Sequence, residues 1–222
     1  MDVGLITYHY PHLKTEQVLE RILNKGFKYT MYALPFKYRK KRKPIFDHRP
    51  NQFTSILPEI LAEKHKIPYV ICNSDLDIKD GHDIYLVLGA GILSSQCVAN
   101  KRIINCHPGI IPACRGLDAF KWAIYEMRPL GITLHYIDAE VDAGEIIYVS
   151  PTNVYKTDNL LTLSRRHYEN EIDCMSRFDK LMENHHNSFK DIEQGEARMR
   201  MPWYKEGELS KILIEYRKKY GK

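Results

Sequence analysis

The chain predicts an α/β fold built on a doubly wound, mostly parallel sheet, and three observations predict it. Short apolar runs alternate with segments of helical spacing through the first half of the chain. One run, within Asp83-Ile84-Tyr85-Leu86-Val87-Leu88, lies between Gly81 and Gly89 and is apolar from Ile84 onward. That is the pattern of a strand buried on both faces. The length, 222 residues with 44% hydrophobic and 27% charged, suits one large core and excludes a disordered chain.

Each element follows in order. Val3 to Thr7 reads as a first strand, and Val18, Leu19, Ile22 and Leu23 take helical spacing behind Thr15 as N-cap, with Gly26 as the stop. Tyr29 to Leu34 completes a β-α-β unit. A basic loop follows, then a helix capped by Thr54-Ser55 that carries Ile56, Leu57, Ile60 and Leu61, then a third strand at Tyr69 to Cys72 after Pro68. Asp83–Leu88 and Arg102–Cys106 supply the next two strands, with right-handed crossovers between them. The arrangement is Rossmann-like, and such sheets bind ligands at the carboxyl ends of their strands, here after Leu88 and Cys106.

Beyond Gly131 the period changes. Ile132, Leu134 and Tyr136 alternate with polar neighbours, and Glu145 to Val149 follows Asp142-Ala143-Gly144, so a β-hairpin around an acidic loop is expected. Thr157 or Asp158 then caps a long helix with Tyr168, Ile172, Met175, Phe178 and Met182 on one face. Leu209, Ile212, Leu213 and Tyr216 stripe a terminal helix. The division expected is a catalytic core over 1–150 and a C-terminal helical extension over 151–222, whose stripes suit the core or the contact of a homodimer.

Composition narrows the function classes. Lys and Arg number 33 against 28 Asp and Glu, but six of those cations stand in Lys37-Tyr38-Arg39-Lys40-Lys41-Arg42-Lys43. A local patch of this kind is a solvated loop or a phosphate-facing one, not a surface that coats nucleic acid. The start of the chain has neither a signal-peptide pattern nor a membrane span, so a cytoplasmic protein with no membrane partner is expected. Five cysteines without a CxxC suggest neither a disulfide framework nor a thiolate zinc site, and His185-His186 lacks a ligand set, so no metal is expected.

The residues that carry chemistry stand at the end of the fifth strand, in Asn105-Cys106-His107-Pro108-Gly109. Residues two apart in an extended chain point to one side, so Asn105 and His107 face one pocket. Pro108, Gly109 and Pro112 stop regular structure and hold the following segment as an ordered turn. A carboxamide donor beside an imidazole suits acyl transfer, one group steadying an oxyanion and the other moving protons.

Asn-x-His-Pro-Gly, the Arg115-Gly116 that follows, and the later Gly131-Ile132-Thr133-Leu134-His135-Tyr136-Ile137-Asp138 through Asp142, Gly144 and Ile147 together resemble the 10-formyltetrahydrofolate-dependent formyltransferases. The resemblance covers roughly Asp83 to Ser150. It implies the formyltransferase fold and a catalytic trio of Asn105, His107 and Asp142. It also implies 10-formyltetrahydrofolate as co-substrate, its pterin end against Leu88, Gly91, Ile92, Leu93, Ile137, Asp138, Glu140 and Val141, and a supporting part for His135. Asp142 would orient and charge-balance His107 or relay a proton through water.

The family differs in its acceptor amine. The tRNA-directed enzymes carry a further C-terminal barrel, for which the residues after Ser150 leave no room. The purine enzyme, which acts on glycinamide ribonucleotide, resembles the chain in size but opens on a Gly-rich phosphate-cradling loop. Here that stretch is Thr7-Tyr8-His9-Tyr10-Pro11-His12-Leu13, without glycine and rich in rings. The wording is similar to the nucleotide-sugar N-formyltransferases of surface polysaccharide synthesis, which implies a nucleotide-linked amino dideoxysugar as acceptor. Tyr8, His9, Tyr10, His12, Arg49, Arg115 and His135 are the expected acceptor residues. A formyltetrahydrofolate hydrolase could use the same trio, with water in place of the amine.

Overall fold

The computed structural model describes residues 1–37, 42–138, 144–183 and 195–222. Strands β1 (Asp2–Tyr8), β2 (Lys28–Leu34), β3 (Tyr69–Ile71), β4 (Ile84–Val87), β5 (Ile103–His107), β6 (Arg115–Gly116), β7 (Gly131–Tyr136), β8 (Ile146–Pro151) and β9 (Ala197–Arg198) alternate with helices. Those helices are α1 (Leu13–Ile22), α2 (Pro58–Lys64), α3 (Ser95–Val98), α4 (Ala119–Tyr125), α5 (Leu160–Ser176), α6 (Phe178–Glu183), α7 (Trp203–Glu206) and α8 (Leu209–Tyr220).

The main sheet has seven strands in the order β3-β2-β1-β4-β5-β7-β8, parallel from β3 to β5 and antiparallel where β7 and β8 join. This is the doubly wound, mostly parallel sheet with a hairpin that the sequence predicts. Both faces are covered, because alternate residues of a strand serve opposite layers. Val3 and Leu5 of β1 pack with Val18, Leu19 and Ile22 of α1 and with Ile172, Met175 and Phe178 of the C-terminal helices. Ile6 faces the other way, into a cluster with Tyr32, Tyr85 and Ile103. The chain runs outward in opposite directions from β1 and β4, so their carboxyl ends form the crevice where such sheets place ligands.

Several element boundaries differ from expectation, each for a tertiary reason. Helix α1 opens at Leu13 with His12 as N-cap, and Thr15 lies inside it, its hydroxyl bonded to Thr7 at 2.7 Å. The helix end is capped from elsewhere: Leu13 N–H reaches the Gln52 carbonyl at 2.8 Å and Lys14 N–H the Gln52 Oε1 at 3.2 Å. Helix α2 starts at Pro58, whose missing N–H suits the first helical position. Ile56 and Leu57 therefore precede it. The cap of α5 is Asn159, in a reciprocal box with Thr162, while Asp158 accepts from both Arg166 guanidinium nitrogens, and Thr157 caps nothing. The single long helix expected to Met182 is two, with Arg177 between them, and the third strand ends at Ile71.

Beyond residue 150, α5 shares the core of the main sheet. Helix α8 instead packs Leu209, Leu213 and Tyr216 against Phe120, Ala123 and Ile124 of α4 in a second cluster. All five cysteines are buried thiols. Among the described residues no helix is long and apolar enough to cross a membrane.

The second cluster is tied to the segment after the basic run by one carboxylate. Glu206 is buried and accepts from Lys121 at 2.5 Å, Arg42 at 2.6 Å and the Ile45 N–H at 3.0 Å. Burial raises its carboxyl pKa, but the bonds from Arg42 and Lys121 and to the Ile45 N–H outweigh that and bring it down to about 2. Removing one partner of a buried pair costs about 3–5 kcal/mol, whereas removing both is often close to neutral. Glu206→Ala should therefore lower the urea midpoint markedly and Lys121→Met with Glu206→Leu should recover most of it, which equilibrium unfolding of the three proteins measures.

Candidate active site

Asn105 and His107 both come from β5, and the antiparallel neighbour β7 sets His135 directly opposite Asn105. Asn105 Nδ2 lies 3.3 Å from His135 Nε2, and His135 Nδ1 lies 2.9 Å from the Tyr136 carbonyl. The carbonyl can only accept, so Nδ1 carries the proton and, in the neutral ring, Nε2 accepts from the Asn105 amide. That fixes which way the amide points: its nitrogen turns toward His135, and one of its two hydrogens is used there.

His107 is buried, and its Nε2 donates to the Cys114 carbonyl at 2.8 Å. In the neutral imidazole, Nδ1 is then the basic nitrogen. The turn that makes this bond depends on Gly109, since a Cβ there would stand 2.5 Å from the Cys114 carbonyl and 2.8 Å from His107 Nε2. Thr133 pins the same turn, donating to the Gly109 carbonyl at 2.7 Å and accepting from Ile111 N–H at 3.1 Å. His167 of α5 donates from Nε2 to the Pro108 carbonyl at 3.2 Å, and its Nδ1 accepts from Thr152 at 2.9 Å. Burial depresses the His167 imidazole to about 4, partly opposed by the bond to Pro108, so the ring is neutral.

One helical turn further along α5, Glu171 holds the crevice side. It is 1% exposed, with Lys14 at 2.8 Å and Arg49 at 2.5 Å, and the Arg49 guanidinium lies over the Tyr168 ring. Burial raises the Glu171 carboxyl, but Arg49 and Lys14 outweigh it and bring it down to about 2. Burial, then Lys14 and Arg49, push His12 down to about 3. Burial also lowers the His48 imidazole well below its usual range, and that ring stacks on Phe120.

The acceptor residues expected from the sequence take distinct places. Tyr8 and His12 stand over Gly89, where a Cβ would lie 2.9 Å from His12 Nδ1, so the ends of β1 and β4 meet. His9 is exposed, with Nδ1 2.8 Å from the Tyr69 hydroxyl. Tyr10 stacks on Phe36. Arg49 is engaged by Glu171, and Arg115 is half-buried on β6, which pairs with β9 in a separate two-stranded sheet. Of the folate residues, Leu88 is buried, Leu93 and Ile137 are half-buried beside Val87 and Ala90, and Gly91, Asp138 and Ile92 are exposed, Ile92 at 87%. An isoleucine standing in solvent beside a half-buried apolar rim suits a flat heteroaromatic ring. Asp142, Glu140 and Val141, like most of the basic run and His185-His186, lie outside the described residues. Among the described residues no cluster of His, Cys, Asp or Glu could hold a metal ion.

Thr133, Lys14, His167 and Glu171 are the positioning residues that sequence reasoning passed over. A signal for the last two exists: they stand four apart beside the apolar positions Tyr168, Ile172 and Met175, where polar side chains need buried partners.

Comparison with known proteins converges on this region. The sequence profile described as formyl transferase matches residues 84–178. Over 92 residues the chain is 37% identical to a phosphoribosylglycinamide formyltransferase from Bacillus subtilis, covering 38% of this chain and 47% of that protein. The chain thus spans about half the length of that relative. A sugar N-formyltransferase from Shewanella superposes with a TM-score of 0.59 at 18% identity, covering 89% of this chain and 76% of that one. The formyltransferase PseJ from Anoxybacillus kamchatkensis superposes with a TM-score of 0.56, also at 18% identity, covering 89% and 85%. Its structure holds UDP-4,6-dideoxy-4-formamido-L-AltNAc and tetrahydrofolate.

The buried polar residues of α5 set the acid sensitivity of the fold. The folded chain refuses a proton at His167 that the unfolded chain takes up, so stability is full above about 6.5 and declines as pH falls toward 4. Glu171 adds stability that is full above about 4.5 and lost as pH falls through 2. His167→Gln, which keeps a donor for Pro108, should lessen the first decline by on the order of a few kcal/mol, with His12 and His48 supplying what remains, and leave the second. Chemical denaturation at a series of pH values separates the two.

Proposed function

Because residues 84–178 match the family model described as formyl transferase, we propose that this chain transfers the formyl group of 10-formyltetrahydrofolate to the primary amine of a nucleotide-linked amino dideoxysugar. The observation that carries formyl transfer is the pair of Asn105 and His107 on one strand end, each locked by a named partner, inside the matched segment. The amine attacks the formyl carbon, which generates a tetrahedral oxyanion and a cationic nitrogen. Asn105 uses its second amide hydrogen to steady the oxyanion, a type of contact whose loss costs about 10²–10³ in rate. His107 takes part through Nδ1, since Nε2 is committed to the Cys114 carbonyl. Asp142 would orient and charge-balance that ring or relay a proton through water from the amine to the folate nitrogen. Collapse breaks the bond from the formyl carbon to the folate nitrogen, which gains the proton that the amine loses, and tetrahydrofolate leaves.

The acceptor follows from the β1–α1 junction. A glycine-rich loop would offer backbone N–H groups to a terminal phosphate. This junction instead presents Tyr8, His9, Tyr10 and His12, and the first amides of α1 are taken by Gln52. A nucleotide-linked sugar amine suits such a surface better than a phosphoribosyl amine. The sugar N-formyltransferase neighbours support the same reading. Glycinamide ribonucleotide is the second reading, favoured by the 37% identity to the Bacillus enzyme.

A panel assay following tetrahydrofolate formation, with dTDP-, UDP- and GDP-linked amino sugars and glycinamide ribonucleotide, should find turnover on a sugar nucleotide. Turnover on glycinamide ribonucleotide alone would establish the second reading, and formate release without an amine would make the protein a hydrolase. With the active acceptor, His107→Asn and Asp142→Asn should each slow the chemical step at least about 100-fold. Near-normal turnover in either would remove that residue from the mechanism.

A further inference from the structure

The loops that follow β1 and β2 bring together rings that no core requires. Tyr10 and Phe36 are stacked, centroids 4.9 Å apart and planes 18° from parallel. Phe53 stands edge-on to both, at 5.3 Å from Tyr10 and 5.4 Å from Phe36. Tyr8 meets Phe36 edge-on at 5.2 Å and leads back to the crevice at Gly89. The cluster is open to solvent: Tyr10 is 43% exposed and Phe53 45%. Large rings ordered against each other at a strand-end loop, yet left half in water, form a surface for a flat partner rather than a piece of core.

We propose that Tyr10, Phe36 and Phe53 form a stacking platform for the base of the acceptor's nucleotide, an inference that rests on the nucleotide-linked acceptor proposed above. Position argues for the base. Tyr10 follows β1 and Phe36 follows β2, two and three strands from β5 in the sheet, so the platform and the Asn105–His107 pair are separated by about 10–14 Å at the usual strand spacing. A base at one end of a molecule and an amine at the other, joined through a diphosphate, covers a distance of that order. A phosphoribosyl amine is shorter and has no ring at its far end. The ring faces recognise any base by stacking, and the edge-on Phe53 closes one side.

Binding of dTDP, UDP and GDP alone to the full-length chain tests this without catalysis, by calorimetry and by saturation-transfer NMR. The wild type should bind at least one of them with its base protons saturated from the protein. Tyr10→Ala and Phe53→Ala should each weaken that binding about tenfold. Phe53→Leu, which keeps the apolar bulk and guards against a folding defect, should weaken it by a similar factor while the thermal midpoint is unchanged. The variants should leave the KM for 10-formyltetrahydrofolate as it is. Undiminished nucleotide affinity in the variants, with turnover on a sugar nucleotide, overturns the platform and leaves the acceptor class standing. A raised KM for 10-formyltetrahydrofolate with unchanged nucleotide affinity also overturns it, by giving the rings to the folate's aryl group. No nucleotide binding by the wild type, with turnover on glycinamide ribonucleotide, overturns both the platform and the acceptor class.

Discussion

A buried carboxylate must have cations within reach, and Glu171 on α5 draws its two from separate segments: Lys14 at the start of α1 and Arg49 on the long connection after β2. Left unpaired in that interior, any of the three charges would cost several kcal/mol. The pairing therefore decides where the connection runs. With Arg49 held, Gln52 is set against the first turn of α1, where it accepts from the Leu13 and Lys14 N–H groups. Phe53, the next residue, is placed against Tyr10 and Phe36.

The same helix governs the catalytic side. His167, one turn before Glu171, is bonded to the carbonyl of Pro108, the residue after His107. Cys106, between Asn105 and His107, directs its thiol to the Glu171 backbone carbonyl at 3.6 Å. Thus α5 is packed by Tyr168, Ile172 and Met175 into the main core and uses its polar positions to register the turn after β5 against the mouth of β1. This coupling is why the C-terminal helices belong with the chemistry as much as the strands do.

The two sides of the site have different kinds of order. Around His107 the contacts described are short and hold the backbone, from the bond to the Cys114 carbonyl to the Thr133 clamp on the Gly109 carbonyl. Around Tyr10 the contacts are ring to ring, which fix a plane but tolerate different partners.

Much of this was legible from the chain. Continuous apolar runs such as Ile84–Leu88 can be satisfied only by a strand covered on both faces, and Asn105-x-His107 at a strand end, followed by Pro and Gly, fixes which side chains share a pocket, since both are local consequences of backbone geometry. A local signal failed where a partner distant in sequence took over: Gln52 displaced Thr15 as the cap of α1. The order of strands, the tautomer of His107 and the meeting of Tyr10, Phe36 and Phe53 were decided by the tertiary structure alone. Each depends on which residues far apart in the chain are brought within hydrogen-bonding or van der Waals reach, and no window of sequence contains that distance.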